Sequence, residues 1–133
     1  MRKKMNQIVS FKLEMIPLIL EGKKTMTTRI ETPYRLRLDK GDTMYIYSGI
    51  RTKNAMKHGE ATIINRWLWN QYFLLIIGAN CPIPILSWYQ FAKAEGFDNA
   101  VQLKSWFGKT RYENKNLITY QFKLIHKEDI KKK

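Results

Sequence analysis

The alternation near the end of the chain is the plainest pattern in it. Ile118, Tyr120, Phe122 and Leu124 are interleaved with Thr119, Gln121 and Lys123, which predicts a half-buried strand over residues 117–125. Met44, Ile46 and Ser48 alternate with Tyr45 and Tyr47 in the same way, predicting a strand over 43–48 that enters from the turn Asp39-Lys40-Gly41-Asp42. Shorter strands are predicted over 7–11, 25–30 and, after the break at Gly59, 60–67. Between the first two of these, Met15, Ile16, Leu18, Ile19 and Leu20 predict a short helix over 14–21, with Pro17 in its first turn and Gly22 at its exit. Ser87 and Gln90 form a capping box that opens a second helix, carrying Trp88, Phe91, Ala92 and Glu95 and ending at Gly96. Asp98 is placed to cap a third helix, whose stripe is Val101, Leu103, Trp106 and Phe107 and whose stop is Gly108. Residues 31–38 and 51–58 read as exposed basic loops, and the apolar run 68–85 has no clean period.

The order of these elements makes an α+β domain, with an antiparallel or mixed sheet that tends to a small barrel and helices at its flank. At 133 residues and 44% hydrophobic content the chain is read as one domain, residues 1–133, with basic ends and an apolar insertion near 67–86. That insertion is too short and too interrupted by Asn80, Pro82 and Pro84 to span a bilayer, so it is expected to pack on the sheet or to face a protein partner. Trp67, Trp69, Trp88 and Trp106 are assigned to packing, with base stacking an alternative for the first two.

Charge changes the picture more than composition does. The sequence holds 24 Lys and Arg against 11 Asp and Glu, a formal charge of +13, which favours a polyanionic partner such as RNA. Part of that charge lies in Arg2, Lys3, Lys4 and Lys131 to Lys133 at the chain ends. Lys23, Lys24, Arg29, Arg35, Arg37, Arg51, Lys53 and Lys57 crowd the first half, with Tyr34, Tyr45 and Tyr47 among them. Cations beside aromatic faces suit unpaired bases, although tyrosines filling a sheet and lysines solvating its rim would look the same. Cys81 is the lone cysteine, and with His58 and His126, both assigned to the surface, it makes a poor metal set; no metal or cofactor is expected, and a reducing, cytoplasmic setting fits.

The segment from Gly22 to Arg29 carries the candidate chemistry. A helix stops at a glycine and an extended chain follows, on which Thr25, Thr27 and Arg29 share a face beside Lys23 and Lys24. Cations and hydroxyls at one corner suit a phosphate or carbonyl oxygen, or the activation of a threonine hydroxyl.

Four pieces in order resemble the ASCH domain: Ile19-Leu20-Glu21-Gly22-Lys23-Lys24-Thr25-Met26-Thr27-Thr28-Arg29, the Lys40-Gly41-Asp42 turn, Gly59-Glu60-Ala61-Thr62-Ile63, and Ala94-Glu95-Gly96-Phe97 before a helix. The resemblance covers about residues 8–124 and implies a fold similar to PUA domains, a small barrel and helices around a cleft with RNA-related roles. Small bacterial members of that family deacetylate N4-acetylcytidine, and their pattern implies Lys24, Thr27 and Glu95 as catalytic residues with Arg29 beside them. Thr28 and Ile30 depart from that pattern, which tends to have an apolar and an acidic residue there. For the chemistry, a neutral Lys24 would serve as the base for Thr27, whereas a charged Lys24 would hold an oxyanion or phosphate; Glu95 pushes the lysine pKa up and burial pushes it down. The readings are therefore a modified-nucleoside hydrolase using Lys24, Thr27 and Glu95, an RNA-binding module in which Lys23, Arg29, Arg51, Lys53 and Lys57 meet phosphates, and a ribonuclease using the same cations.

Overall fold

A computed structural model describes residues 4–71 and 81–128. Five strands form one curled sheet in the order β1-β3-β4-β5-β2: β1 is Asn6–Ser10, β2 Met26–Ile30, β3 Thr43–Ser48, β4 Met56–Asn70 and β5 Asn116–Lys127. Only β1 and β3 run parallel; the remaining pairs are antiparallel, so the sheet is mixed. Register shifts at Ile46/Tyr47, Glu60/Ala61 and Ile63/Asn65 mark bulges, which add twist and curl the sheet into a half-barrel. β1 and β2 are its two edges.

A 3₁₀ turn, Leu13–Met15, leads into α1 (Ile16–Leu20), with Pro17 in its first turn as expected. Gly22, at φ 79°, takes the chain out of α1 through a left-handed conformation that its lack of a Cβ permits. The expected loop over 31–38 instead contains the short helix α2 (Pro33–Leu36), because Thr32 accepts the Arg35 N–H at 3.1 Å and Pro33 supplies a ready-set first φ. The capping box at Ser87 and Gln90 is formed and opens α3 (Trp88–Glu95). For α4 (Ala100–Phe107) the cap is Asn99 rather than Asp98: its side chain accepts the Gln102 N–H at 2.9 Å. β4 begins at Met56 and runs to Asn70, so the basic loop is shorter and the strand longer than the sequence pattern indicated.

Alternation along β5 divides the interior into two cores. Ile118, Tyr120 and Phe122 point into the half-barrel with Met44, Ile46, Ala61, Ile63 and α1 residues Ile16 and Ile19. Leu117 points the other way, joining Met26, Trp69, Phe91, Leu103 and Phe107 under α3 and α4. From the apolar insertion, Cys81 and Ile83 are buried in this second core, while Leu68 and Ile85 are exposed; residues 72–80 lie outside those described. Among the described residues no helix is long and apolar enough to cross a membrane.

Candidate functional site

The gap between the two edge strands is a cleft of about 440 Å³, lined on one side by Ser10, Phe11 and Lys12 and on the other by Lys24, Thr27, Thr28 and Arg29, with Glu95 and Trp106 from the helices. Thr25 O accepts the Phe122 N–H and the Glu31 N–H reaches Asn116 O, so the odd-numbered residues of β2 bond to β5. The alternation of an antiparallel pair then turns the N–H and C=O of Thr28 toward the open edge.

Lys24 is placed by two helices at once. Its own N–H bonds to Leu18 O in α1, and the Thr25 N–H after it bonds to Ala94 O in α3. At the end of α3, Gly96 at φ 96° allows its N–H to reach Lys93 O and the Phe97 N–H to reach Ala92 O, a Schellman arrangement that leaves the Glu95 carbonyl over. Lys24 Nζ fills that position, donating to Glu95 O at 2.5 Å and to Met26 O at 2.7 Å. The Lys24 Nζ therefore sits at the negative end of α3. Its separation from Glu95 Oε1, 3.6 Å, is an ion-pair contact longer than a hydrogen bond.

Lys24, Thr27 and Glu95 are all buried, at 4%, 3% and 3% exposure. Burial pushes the Lys24 pKa below its ordinary value, the Glu95 carboxylate works against that, and the Arg29 charge adds to it. Arg29 is pushed down to about 10 by burial and by the nearby Arg35 charge. Its Nε donates to Thr27 Oγ1 at 3.1 Å and its guanidinium lies 4.8 Å from the Phe11 ring centroid. Thr27 and Arg29 thus share a face of β2, as their spacing predicts.

Thr28, on the opposite face, is the partner of Glu95 that sequence reasoning passed over. Its hydroxyl donates to Glu95 Oε2 at 2.7 Å and lies 2.6 Å from Thr119 Oγ1, which accepts from Trp69 Nε1 at 2.7 Å. An indole N–H only donates and a carboxylate only accepts, so the chain has one direction, from Trp69 through Thr119 and Thr28 to Glu95. Thr119 was legible as a strand residue and Trp69 only as a packing residue of the apolar run, and neither carried a signal of this role.

The other proposed cations fall elsewhere. Lys23 is exposed and 3.3 Å from Glu21, while Lys57 is 2.6 Å from Glu60 and 3.8 Å from Glu128. Arg51 and Lys53 are exposed on the turn between β3 and β4 and are not among the cleft residues. His126 is exposed beside Glu128, but His58 is buried against Ser48 Oγ at 2.6 Å, contrary to its surface assignment, and burial lowers its pKa. Trp106, Lys12 and Arg111 line the cleft without having been singled out as ligand contacts. No group of three His, Cys, Asp or Glu among the described residues could hold a metal ion.

No protein-family model matches the chain, and no curated protein matches it by sequence. Solved structures do. A point mutant of ASCH from Zymomonas mobilis aligns at a TM-score of 0.54 and 17% identity over 88% of this chain and 67% of that one. The ASCH domain from Lactobacillus crispatus aligns at 0.54 and 13%, over 91% and 80%. Protein EF3133 from Enterococcus faecalis aligns at 0.57 and 14%, over 99% and 87%. At such identities the likeness is one of architecture, and it agrees with the mixed half-barrel and its flanking helices: the chain has the fold of the ASCH domains.

Proposed function

We propose that the cleft binds a nucleobase carrying an exocyclic amide and hydrolyses that amide, as in deacetylation of an N4-acetylcytidine-type nucleoside. The observation that carries this reading is the hydrogen bonding of Lys24 Nζ: two carbonyl oxygens, at 2.5 and 2.7 Å, take two N–H groups. A neutral amine has two N–H groups and one lone pair, so it can satisfy both carbonyls and keep the pair available, and burial, prevailing over the opposing Glu95 charge, lowers the Lys24 pKa in favour of that form. Thr27, on the same cleft wall, is the nucleophile, and the Arg29 N–H on its oxygen stabilises charge developing there.

The steps balance as acyl transfer followed by hydrolysis. Thr27 Oγ1 attacks the amide carbon while Lys24 takes its proton; that proton passes by way of Glu95, 3.6 Å away, to the leaving amine as the C–N bond breaks. Lys24 then takes a proton from the water that attacks the threonine ester and returns it to Thr27 Oγ1 as the ester bond breaks. Acetate and the free amine are released, and Lys24 and Thr27 return to their starting states. A volume of about 440 Å³ lies in the range of small-molecule clefts, about 300–1,000 Å³, and suits a single splayed nucleotide rather than a duplex.

Purified protein is expected to release acetate from N4-acetylcytidine, with Thr27→Val and Lys24→Met reducing the rate by about 10²–10⁴-fold and Thr27→Ser retaining part of it. Full activity in either of the first two variants overturns the assignment. Nucleoside binding without acetate release identifies a binding module, and cleavage of RNA by the wild type but not by Lys24→Met identifies a ribonuclease.

A further inference from the structure

Resting on that reading of the cleft, we infer that its mouth is a phosphate subsite and that the ligand is a nucleotide, free or within a single strand, rather than a bare nucleoside. Three cations from two chain segments converge on one ring at the mouth. Lys12, after β1, lies 4.6 Å from the Trp106 ring centroid, and Lys109 and Arg111, after α4, lie 3.9 and 4.6 Å from it. Lys12, Trp106 and Arg111 all line the cleft that Lys24 and Thr27 line deeper in.

These cations differ from Lys23, Lys57 and Arg66, each of which has a carboxylate within 4 Å. Among the described residues none of Lys12, Lys109 and Arg111 is in an ion pair. The one other acidic residue of the cleft, Glu14, is in no ion pair among the described residues either, and the cleft lining keeps an excess of positive charge. Their distances to the shared centroid put any two of the three at most about 9 Å apart, within the reach of the ~8–10 Å screening length of physiological salt, so the like charges repel. Cation–π attraction, about 0.5–1 kcal/mol for each exposed pair, holds them in place and limits the entropy they lose when an anion arrives. A phosphate, dianionic on a free monophosphate and monoanionic within a strand, relieves the repulsion and accepts charge-assisted hydrogen bonds from the guanidinium and ammonium groups. Because cations already lie over the indole, Trp106 serves to organise them rather than to stack on a base.

The test compares N4-acetylcytidine, its 5′-monophosphate and a single-stranded oligoribonucleotide containing it, by calorimetry on wild type and on Lys109→Gln/Arg111→Gln. The monophosphate is expected to bind wild type about tenfold more tightly than the nucleoside, the worth of one charge-assisted contact, and that ratio is expected to fall to about one in the double variant. A still tighter oligonucleotide places the phosphate in a polynucleotide; equal affinity places it in a free nucleotide. In a second arm, inorganic phosphate is titrated while the Trp106 indole N–H resonance, assigned by its loss in Trp106→Phe, is followed. Nucleoside binding with a wild-type ratio of about one and an unmoved Trp106 resonance overturns the subsite and leaves the cleft reading intact. A resonance that phosphate moves, without any nucleoside binding, supports the subsite and removes the cleft reading.

Discussion

Lys24 and Thr28 decide the chemistry at the scale of single residues. Burial is the largest influence on Lys24 and lowers its pKa from 10.5, so its neutral, basic form gains population as pH rises through a value below 10.5. The rate of amide hydrolysis is therefore expected to climb with pH and to level off before 10.5, measured as kcat/KM; a rate that falls over the same range means the ammonium form is the active one. The same shift bears on stability. Unfolded chain binds more protons than folded chain between the two pKa values, so the burial penalty is fully present below the folded value and fades as pH approaches 10.5. Thr28 matters through the directed chain that ends on Glu95. Thr28→Val keeps the shape but strips a donor from a buried carboxylate and an acceptor from Thr119, so it is expected to cost about 1–3 kcal/mol in denaturant unfolding. Thr28→Ser should recover most of that loss, and a valine variant as stable as wild type would show that the chain contributes nothing.

At the scale of elements, the end of α3 is what joins the two cores at the site. Gly96 holds φ 96°, and a Cβ there would come within 3.4 Å of both Lys24 Cδ and Met15 Sδ. Gly96→Ala is thus expected to cost about 1–2 kcal/mol for the left-handed backbone, and relief of that strain by the turn would shift the Glu95 carbonyl that holds Lys24. Loss of acetate release beyond the loss of folded protein, read by activity at a temperature where circular dichroism shows the variant folded, is the expected result; unchanged activity would separate the helix end from the lysine. The elements themselves were largely legible, because strand alternation at 43–48 and 117–125 and the box at Ser87 and Gln90 are local signals. The cap at Asn99 was missed because Asp98 has similar capping chemistry one residue away. The parallel pairing of β1 with β3 was not legible, since nothing in 6–10 names a partner 37 residues on. The site divides the same way. Thr27 and Arg29 follow from period two on one strand, whereas Thr28 with Glu95, 67 residues apart, and Lys12 with Trp106 exist only once the helices pack.

For the whole molecule, the question is which part of a +13 charge an RNA strand would feel. Long-range attraction sums over all the cations and raises the association rate, while the salt dependence of the equilibrium counts the phosphates actually neutralised. The described surface offers two candidate footprints: the cleft mouth with Lys12, Lys109 and Arg111, and the β3–β4 turn with Arg51 and Lys53. Lys57 adds little to the turn, because Glu60 and Glu128 already face it. If a single strand enters through the mouth, Lys109→Gln/Arg111→Gln should reduce the slope of log K against log salt by about 1.4, two contacts at about 0.7 each. Arg51→Gln/Lys53→Gln should leave that slope within error of wild type. The reverse result, with the slope lost at the turn and kept at the mouth, would move the nucleic-acid interface away from Lys24 and separate RNA binding from the chemistry of the cleft.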